Sequence, residues 1–555
     1  MESRRMALIA LLGVILFLMY QSWQTDYPKV AAVTTSAAAT AAAPAPTSAA
    51  SATDVVVPAV PAGEAPPTAA PAQRIRVQTD LYVAEFATTG AELRRVELSN
   101  YPREKQKPDE KLALLNDRDG HVFTLQSGLA AVEKQLTSNQ TAFTTPQTEY
   151  RLAEGADTLD VPFETIDASG YTLRKIYRFK RGSYQIALEQ TLINHTGAAL
   201  NVSAYARWLR NPIAIDKEPP FIKTFLGMGV YEQKPGTSDY RFKKLKLDSF
   251  DKTPYESKQT GGWLAMLQHY FIAVIVPPAD ETLTYTGKPA GNGNYLSQYV
   301  GAPHLIADGA EETYKTGLYI GPKEQNKLDD VAKGLALTED YGILTVIAKP
   351  LFVVLSFFHR ITSNWGWSII LLTLTVKALF YPLSAAQYKS MAKMKKFTPR
   401  IAELKERYAD DREKLNKAMM DLYKKEGFNP LAGCWPILVQ MPVFFALYWV
   451  LIESVELRQA PFMLWLNDLS SADPFYIMPV LYGASMWLQQ RMSGQTATMD
   501  PTQAKIMNVM PIAFTGMFLF FPAGLVVYWF VSNVIGILQQ KLIIWRMEKG
   551  LIPAK

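Results

Sequence analysis

Between residues 364 and 545 the chain carries five apolar runs, roughly 364–383, 432–452, 474–490, 506–521 and 524–545. Each is near the ~20 residues that a helix needs to cross a ~30 Å hydrocarbon core. The last two are separated only by Pro522-Ala523-Gly524, which permits nothing but a tight hairpin. The first run is not cleanly apolar, because Lys377 interrupts it. Trp365 and Trp367 at its start have the character of an interfacial anchor. Helix rise from Trp367 to Lys377 is ~15 Å, about half the core. A lysine at that depth costs about 2.5–3.5 kcal/mol and is by default a functional candidate. It can snorkel, pair with backbone carbonyls, or line a hydrated groove. The spans contain no central Asp or Glu, so the groove is the reading that best supplies a partner, and a transient one.

The rest of the chain differs in kind. Residues 74–335 are strand-rich and soluble in character. At the N-terminus, Arg4 and Arg5 precede an apolar run from Met6 to Tyr20. Residues 1–28 are therefore expected to be a transmembrane anchor rather than a cleaved signal, with the arginines inside. Residues 29–73, almost all Ala, Pro, Thr, Ser and Val, are expected to be an extended tether. In the soluble part Ile75, Val77, Leu81 and Val83 alternate with more polar neighbours. Tyr171, Leu173, Tyr177 and Phe179 share one face, Arg181-Gly182-Ser183 turns, and Tyr184, Ile186, Leu188 and Leu192 line the returning strand. Period-two runs with short turns predict an antiparallel sandwich. The single cysteine, Cys434, excludes an intramolecular disulfide.

The apolar stretch 343–358, within a segment 341–360, is interrupted by Lys349-Pro350 and closed by His359-Arg360. Were it a span, the twelve Lys and Arg of 384–432 would lie outside, against the positive-inside rule. It is expected to be an amphipathic helix on the outer membrane surface. Six spans with both termini inside then follow. Segment 385–428 has Tyr388, Met391, Met394, Phe397, Ile401, Leu404 and Tyr408 at helical spacing. Asp410-Asp411 interrupts the pattern, and Leu415, Met419 and Leu422 resume it. That predicts a cytoplasmic αα-hairpin. Its apolar seam holds the arms together, and methionines such as Met391, Met394, Met419 and Met420 also suit contact with varied apolar chains.

No catalytic constellation is present. The five histidines lack metal-ligand spacing, and no phosphate-binding glycine loop follows a strand. No enzyme activity, metal or cofactor is expected, and a formal charge of +6 is too mild to argue for nucleic acid. What remains is polar patterning. Thr373, Lys377 and Tyr381 share a helix face. Tyr528, Ser532 and Gln539 form a stripe on the last span, Asn508 and Thr515 stand seven apart on the fifth, and Gln440 lies in the second apolar run after Lys377. Neutral polar residues of this kind also serve as interhelical hydrogen-bond glue.

Specific segments carry a resemblance. They are Asn364-Trp365-Gly366-Trp367-Ser368-Ile369-Ile370, YPLSAAQYKSMAKMKK from Tyr381, NPLAGCWPILVQMPVFFALYWVL from Asn429, SVELRQAPF from Ser454 and FPAGLVVYWFVSN from Phe521. The chain resembles the YidC/Oxa/Alb membrane protein insertases, most closely those of Gram-negative bacteria. The resemblance implies an α-helical polytopic membrane protein: six spans, a five-helix insertase core over 361–545, and a large all-β periplasmic super-sandwich over 74–335. It implies a groove open to the cytoplasm and to lipid, lined by Lys377, Thr373, Tyr528 and Trp529. Relatives usually carry arginine where Lys377 stands, so charge is kept and the bidentate fork is lost. The implied partners are nascent membrane proteins, the ribosome near loop 491–505 and the basic tail 546–555, the Sec translocon and its accessory subunits, the signal recognition particle and its receptor, and membrane lipids. The implied location is the bacterial inner membrane. A small-molecule transporter with an extracytoplasmic binding domain is the other reading, disfavoured by the missing carboxylates and the lack of an inverted repeat. A sugar-active β-domain finds no paired carboxylates in a supporting context.

Overall fold

The computed structural model describes residues 73–131, 136–215, 224–339, 341–408, 411–425, 435–493 and 501–551. The expected anchor 1–28, the tether up to residue 72, Cys434, residues 494–500 of loop 491–505 and the last tail residues lie outside these.

Alternation of apolar and polar residues yields two large sheets. One has 11 strands, with Leu200–Arg210 near its centre between Phe123–Ala131 and Asn294–Val300. The other has 8 strands, running from Tyr240–Lys246 at one edge through Phe271–Val276 and Glu311–Pro322 to Thr158–Asp167 at the other. They face each other over one core. The Tyr82 hydroxyl, from the first sheet, donates to the Tyr184 and Ile320 carbonyls at 2.8 and 2.6 Å, and Phe86 packs on Phe163 and Tyr177. The expected hairpin is present: Tyr171–Lys180 pairs with Gln185–Asn194, Tyr177 opposite Leu188, and Gly182 supplies the turn's positive φ of 66°.

The start of the domain departs from the expected phase. Ile75 and Val77 are buried, but a turn held by Thr79 resets the alternation, so Tyr82, Ala84 and Phe86 point inward in place of Leu81 and Val83. A one-residue shift exchanges the faces of everything after it.

The second part is helical: α1 (Thr345–Thr362), α2 (Trp365–Leu379), α3 (Tyr381–Arg407), α4 (Arg412–Lys425), α5 (Trp435–Glu453), α6 (Ile477–Ser493), α7 (Pro501–Phe518) and α8 (Ala523–Glu548). Among the described residues, Gly342–Thr362 and Ala523–Glu548 are long and apolar enough to cross a membrane unaided. A third candidate is the pair α2 and the start of α3, bent by 65°. The continuous run expected over 364–383 is thus broken at Phe380. Pro382 lies in the first turn of α3, where its missing N–H costs nothing but where it cannot continue the preceding helix. α1 packs Ala348, Phe352 and Leu355 against α2 and α5 and exposes Val346, Val353 and Phe357. Asp411 caps α4 by accepting from the Lys414 amide at 3.0 Å. The turn from α7 to α8 is tied down by Ala523 and Gly524 amides donating to Ser471 and Leu469 carbonyls, at 2.7 and 2.9 Å.

Candidate functional site

α2 and α8 lie against each other and run the same way. Gly524 approaches Ile369 near their starts, and the Gln539 amide donates to the Lys377 carbonyl, at 3.5 Å, further along. Four residues beyond the first contact stand Tyr528 and Thr373, both about 6 Å deeper along their helices. Thr373 is buried, and its hydroxyl donates to the Ile369 carbonyl at 2.6 Å, so it is satisfied within its own helix. Tyr528 is buried and its hydroxyl is hydrogen-bonded with the Gln440 side chain on α5. Ser532, one turn on, is also buried. Lys377 is partly buried in the last turn of α2, and among the described residues no carboxylate or hydrogen-bond acceptor holds its ammonium.

Trp529 sits in an aromatic box. Phe444 meets it edge-on at 4.5 Å between ring centroids, Phe518 at 4.9 Å and Tyr482 at 5.5 Å. Its indole Nε1 is buried and has no hydrogen-bond partner among the described residues, as is true of Gln539 Oε1 and Gln540 Oε1 further along α8. Buried polar atoms without a partner among the described residues thus stand at two levels of α8, and at the second of them Gln539 reaches the Lys377 backbone. Water or an added chain is what would pair with them.

Asn508 and Thr515 are placed differently. Asn508 is exposed on α7. The Thr515 hydroxyl donates to Pro511 at 2.7 Å and lies against Gly483, a helix-packing contact between α6 and α7. In the hairpin, Met419 and Met420 are partly exposed on α4, while the side chains of Met391 and Met394 lie outside those described. Sequence reading missed the role of α6. Its Ser485 accepts from Asn533 at 2.9 Å, and its Gln489 bonds Tyr388 at the base of the hairpin. Their signal was polar residues at helical spacing in an apolar helix.

The model of the 60Kd inner membrane protein family matches residues 357–550, and that of the YidC periplasmic domain matches residues 74–354. A relative from Methylococcus capsulatus, "Membrane protein insertase YidC", is 42% identical over 100% of both chains. One of the same name from Nitrosococcus oceani is 42% identical over 99% of this chain and 100% of its own. A solved structure described as an active YidC insertase covers 85% of this chain and 94% of its own, at 17% identity and a TM-score of 0.37, too distant a superposition to bear on detail. On the family models and on full-length identity, this chain belongs to the YidC family of membrane protein insertases, inner-membrane proteins with a periplasmic domain.

Proposed function

We propose that Lys377 is the cation that draws the acidic, translocated part of a nascent membrane protein into a hydrated groove, from which the apolar segment partitions into lipid. The observation that carries this is the partly buried ammonium with no carboxylate partner among the described residues. Attraction between unit charges at 4 Å rises from about 1 kcal/mol in water to about 4 kcal/mol at an effective dielectric of ~20. Thr373, Tyr528, Ser532 and Gln440 form the wall outward of the lysine, Trp529 stiffens it, and Gln539 stands beside the Lys377 backbone. The driving force is hydrophobic partition, so the process needs neither ATP nor a cofactor.

In this reading there are six spans with both termini in the cytoplasm. α1 lies on the periplasmic membrane surface, and the αα-hairpin, with Met391, Met394, Met419 and Met420, receives nascent chains in the cytoplasm. Loop 491–505 and the basic tail lie near the ribosome. Sec translocon subunits and the signal recognition particle with its receptor deliver or share substrates.

The test uses purified protein in liposomes and a single-span substrate with an acidic tail. Insertion without ATP, and without solute uptake, is expected. Lys377→Arg should insert normally. Lys377→Glu should slow the acidic-tail substrate by at least about tenfold, the factor carried by about 1.4 kcal/mol, while sparing one with a neutral tail. Normal insertion of the acidic tail by Lys377→Glu would remove the charge-attraction account, and solute uptake would favour a transporter.

A further inference from the structure

The β-domain is seated on the outer turn that follows α5. Val455, in that turn, is buried in the β-domain's own core cluster. His269 Nε2 meets the Ile452 carbonyl at 3.0 Å, and Arg458 donates to the Pro102 carbonyl at 3.1 Å and covers Phe271. Lys105, from the hairpin Glu92–Leu115, donates to the Gln459 carbonyl at 2.8 Å and also to Asn467.

Carboxylates gather in the middle of this contact. Glu339 comes from the segment leaving the β-domain, Glu453 from the end of α5, and Glu456 from the turn. Glu339 is 5% exposed, and its Oε1 has no hydrogen-bond partner among the described residues. Glu456 accepts weakly from the Gln325 amide at 3.4 Å, and its Oε2 is likewise buried without a partner. The facing cations are Lys323, 3.8 Å from Glu453, and Lys349 of α1. Tyr319 and Tyr341 also face Glu339, Glu324 and Lys327 face Glu456, and His269 lies beyond Lys323. Lys327 is paired with Glu324 at 2.6 Å, which leaves Lys323 and Lys349 facing Glu339, Glu453 and Glu456, and the buried Glu339 Oε1 and Glu456 Oε2 would carry charge without a hydrogen-bond partner among the described residues if both groups ionised. Burial, with the Glu456 charge beside it, pushes the Glu339 carboxyl well above the usual range, and burial raises Glu456 to about 7. Burial, with Lys323 second, holds His269 down at about 3, so it stays neutral and cannot supply the missing charge.

We propose that this junction is a proton-responsive dock: the β-domain stays seated on the turn after α5 while the Glu339 carboxyl is protonated, and lifts from it as the carboxyl groups of the cluster ionise. A carboxyl whose value is raised on docking binds more protons docked than free. The docked state is then fully favoured below the ordinary glutamate range, near 4.5, and weakens as pH climbs through the raised values. An extracytoplasmic junction is exposed to the pH of the medium, so the dock gives the insertase an external pH input.

The test is a distance measurement on the full chain in lipid nanodiscs, in a Cys434→Ser background. Nitroxides at Leu305 of the β-domain and Phe475 of the loop after α5, both exposed, report docking, and a pair at Leu305 and Ile166 reports the β-domain alone. Between about pH 6 and about pH 9.5 the docked distance should lose about half or more of its population, reversibly, while the pair within the β-domain is unchanged. Glu339→Gln, which imitates the protonated acid, and Glu339→Gln with Glu456→Gln should both keep the docked distance throughout. A wild-type distance independent of pH overturns the proposal. So does a titration that persists in both variants, or a matching change in the pair within the β-domain, which would be unfolding.

Discussion

A wholly buried lysine and a partly buried one are accommodated in different ways. Lys175 lies wholly inside the sandwich, where its ammonium donates to the Gly90 and Ser127 carbonyls at 2.8 and 2.6 Å. Burial lowers it to about 7, opposed by the nearby Glu92. Between about pH 7 and its ordinary 10.5 the unfolded chain holds a proton that the folded one does not, so this residue makes the β-domain more stable as pH rises through that window. In a Glu339→Gln background, where the dock stays seated, hydrogen exchange of the β-domain core, corrected for intrinsic rates, should show a gain of about 1–2 kcal/mol between pH 7 and 9. Lys175→Met should flatten that slope, and an unchanged slope would place the titration elsewhere. Lys377 has no such carbonyl pair among the described residues. That contrast is what makes it a candidate for a transient partner rather than a structural cation.

At the scale of elements, what the sequence made legible was periodicity, and what it hid was the point where one period stops. The hairpin 171–194, Asp411 as the cap of α4, and the tight turn at Pro522 follow from local chemistry. The reset at Thr79 does not, because a strand pattern continued through a turn looks the same for several residues. Nor does the contact of α6 with α7, which depends on residues far apart. A Cβ on Gly483 would collide with the Thr515 hydroxyl. Gly483→Ala should therefore lower thermal stability by an amount typical of overpacking, about 1–3 kcal/mol, and Thr515→Ala should restore most of it. If the double variant were no better than Gly483→Ala alone, the close approach of α6 and α7 would be wrong. Tyr388 belongs to the same class of long-range contact. It is buried, bonded with Gln489, and fixes the start of α3 on α8 next to Gly536. Tyr388→Phe removes only the hydroxyl, and should raise protease sensitivity across the hairpin without changing the rest of the digest.

For the whole molecule the question is whether the β-domain and the helical part behave as two bodies on a tether or as one. Composition divides them sharply at about residue 340. Val455 contradicts that division, since a residue belonging to the helical part by chain position fills the β-domain core. Polar contacts from Arg458, Gln459 and Lys105 surround it, joining segments more than 350 residues apart, which no local pattern can announce. Burying a valine contributes about 1.5–3 kcal/mol, and a truncated core residue costs more when the site cannot collapse. The β-domain core and the bundle should thus unfold together at mildly acidic pH, where the dock is held. Val455→Ala should lower the apparent midpoint, and Val455→Ala with Arg458→Ala should split a single calorimetric transition into two, the β-domain's own and the bundle's. The split separates coupling from simple destabilisation, because a merely weaker domain would move one transition and leave it single. One unsplit transition in the double variant would mean that the two parts are held together by something other than this turn.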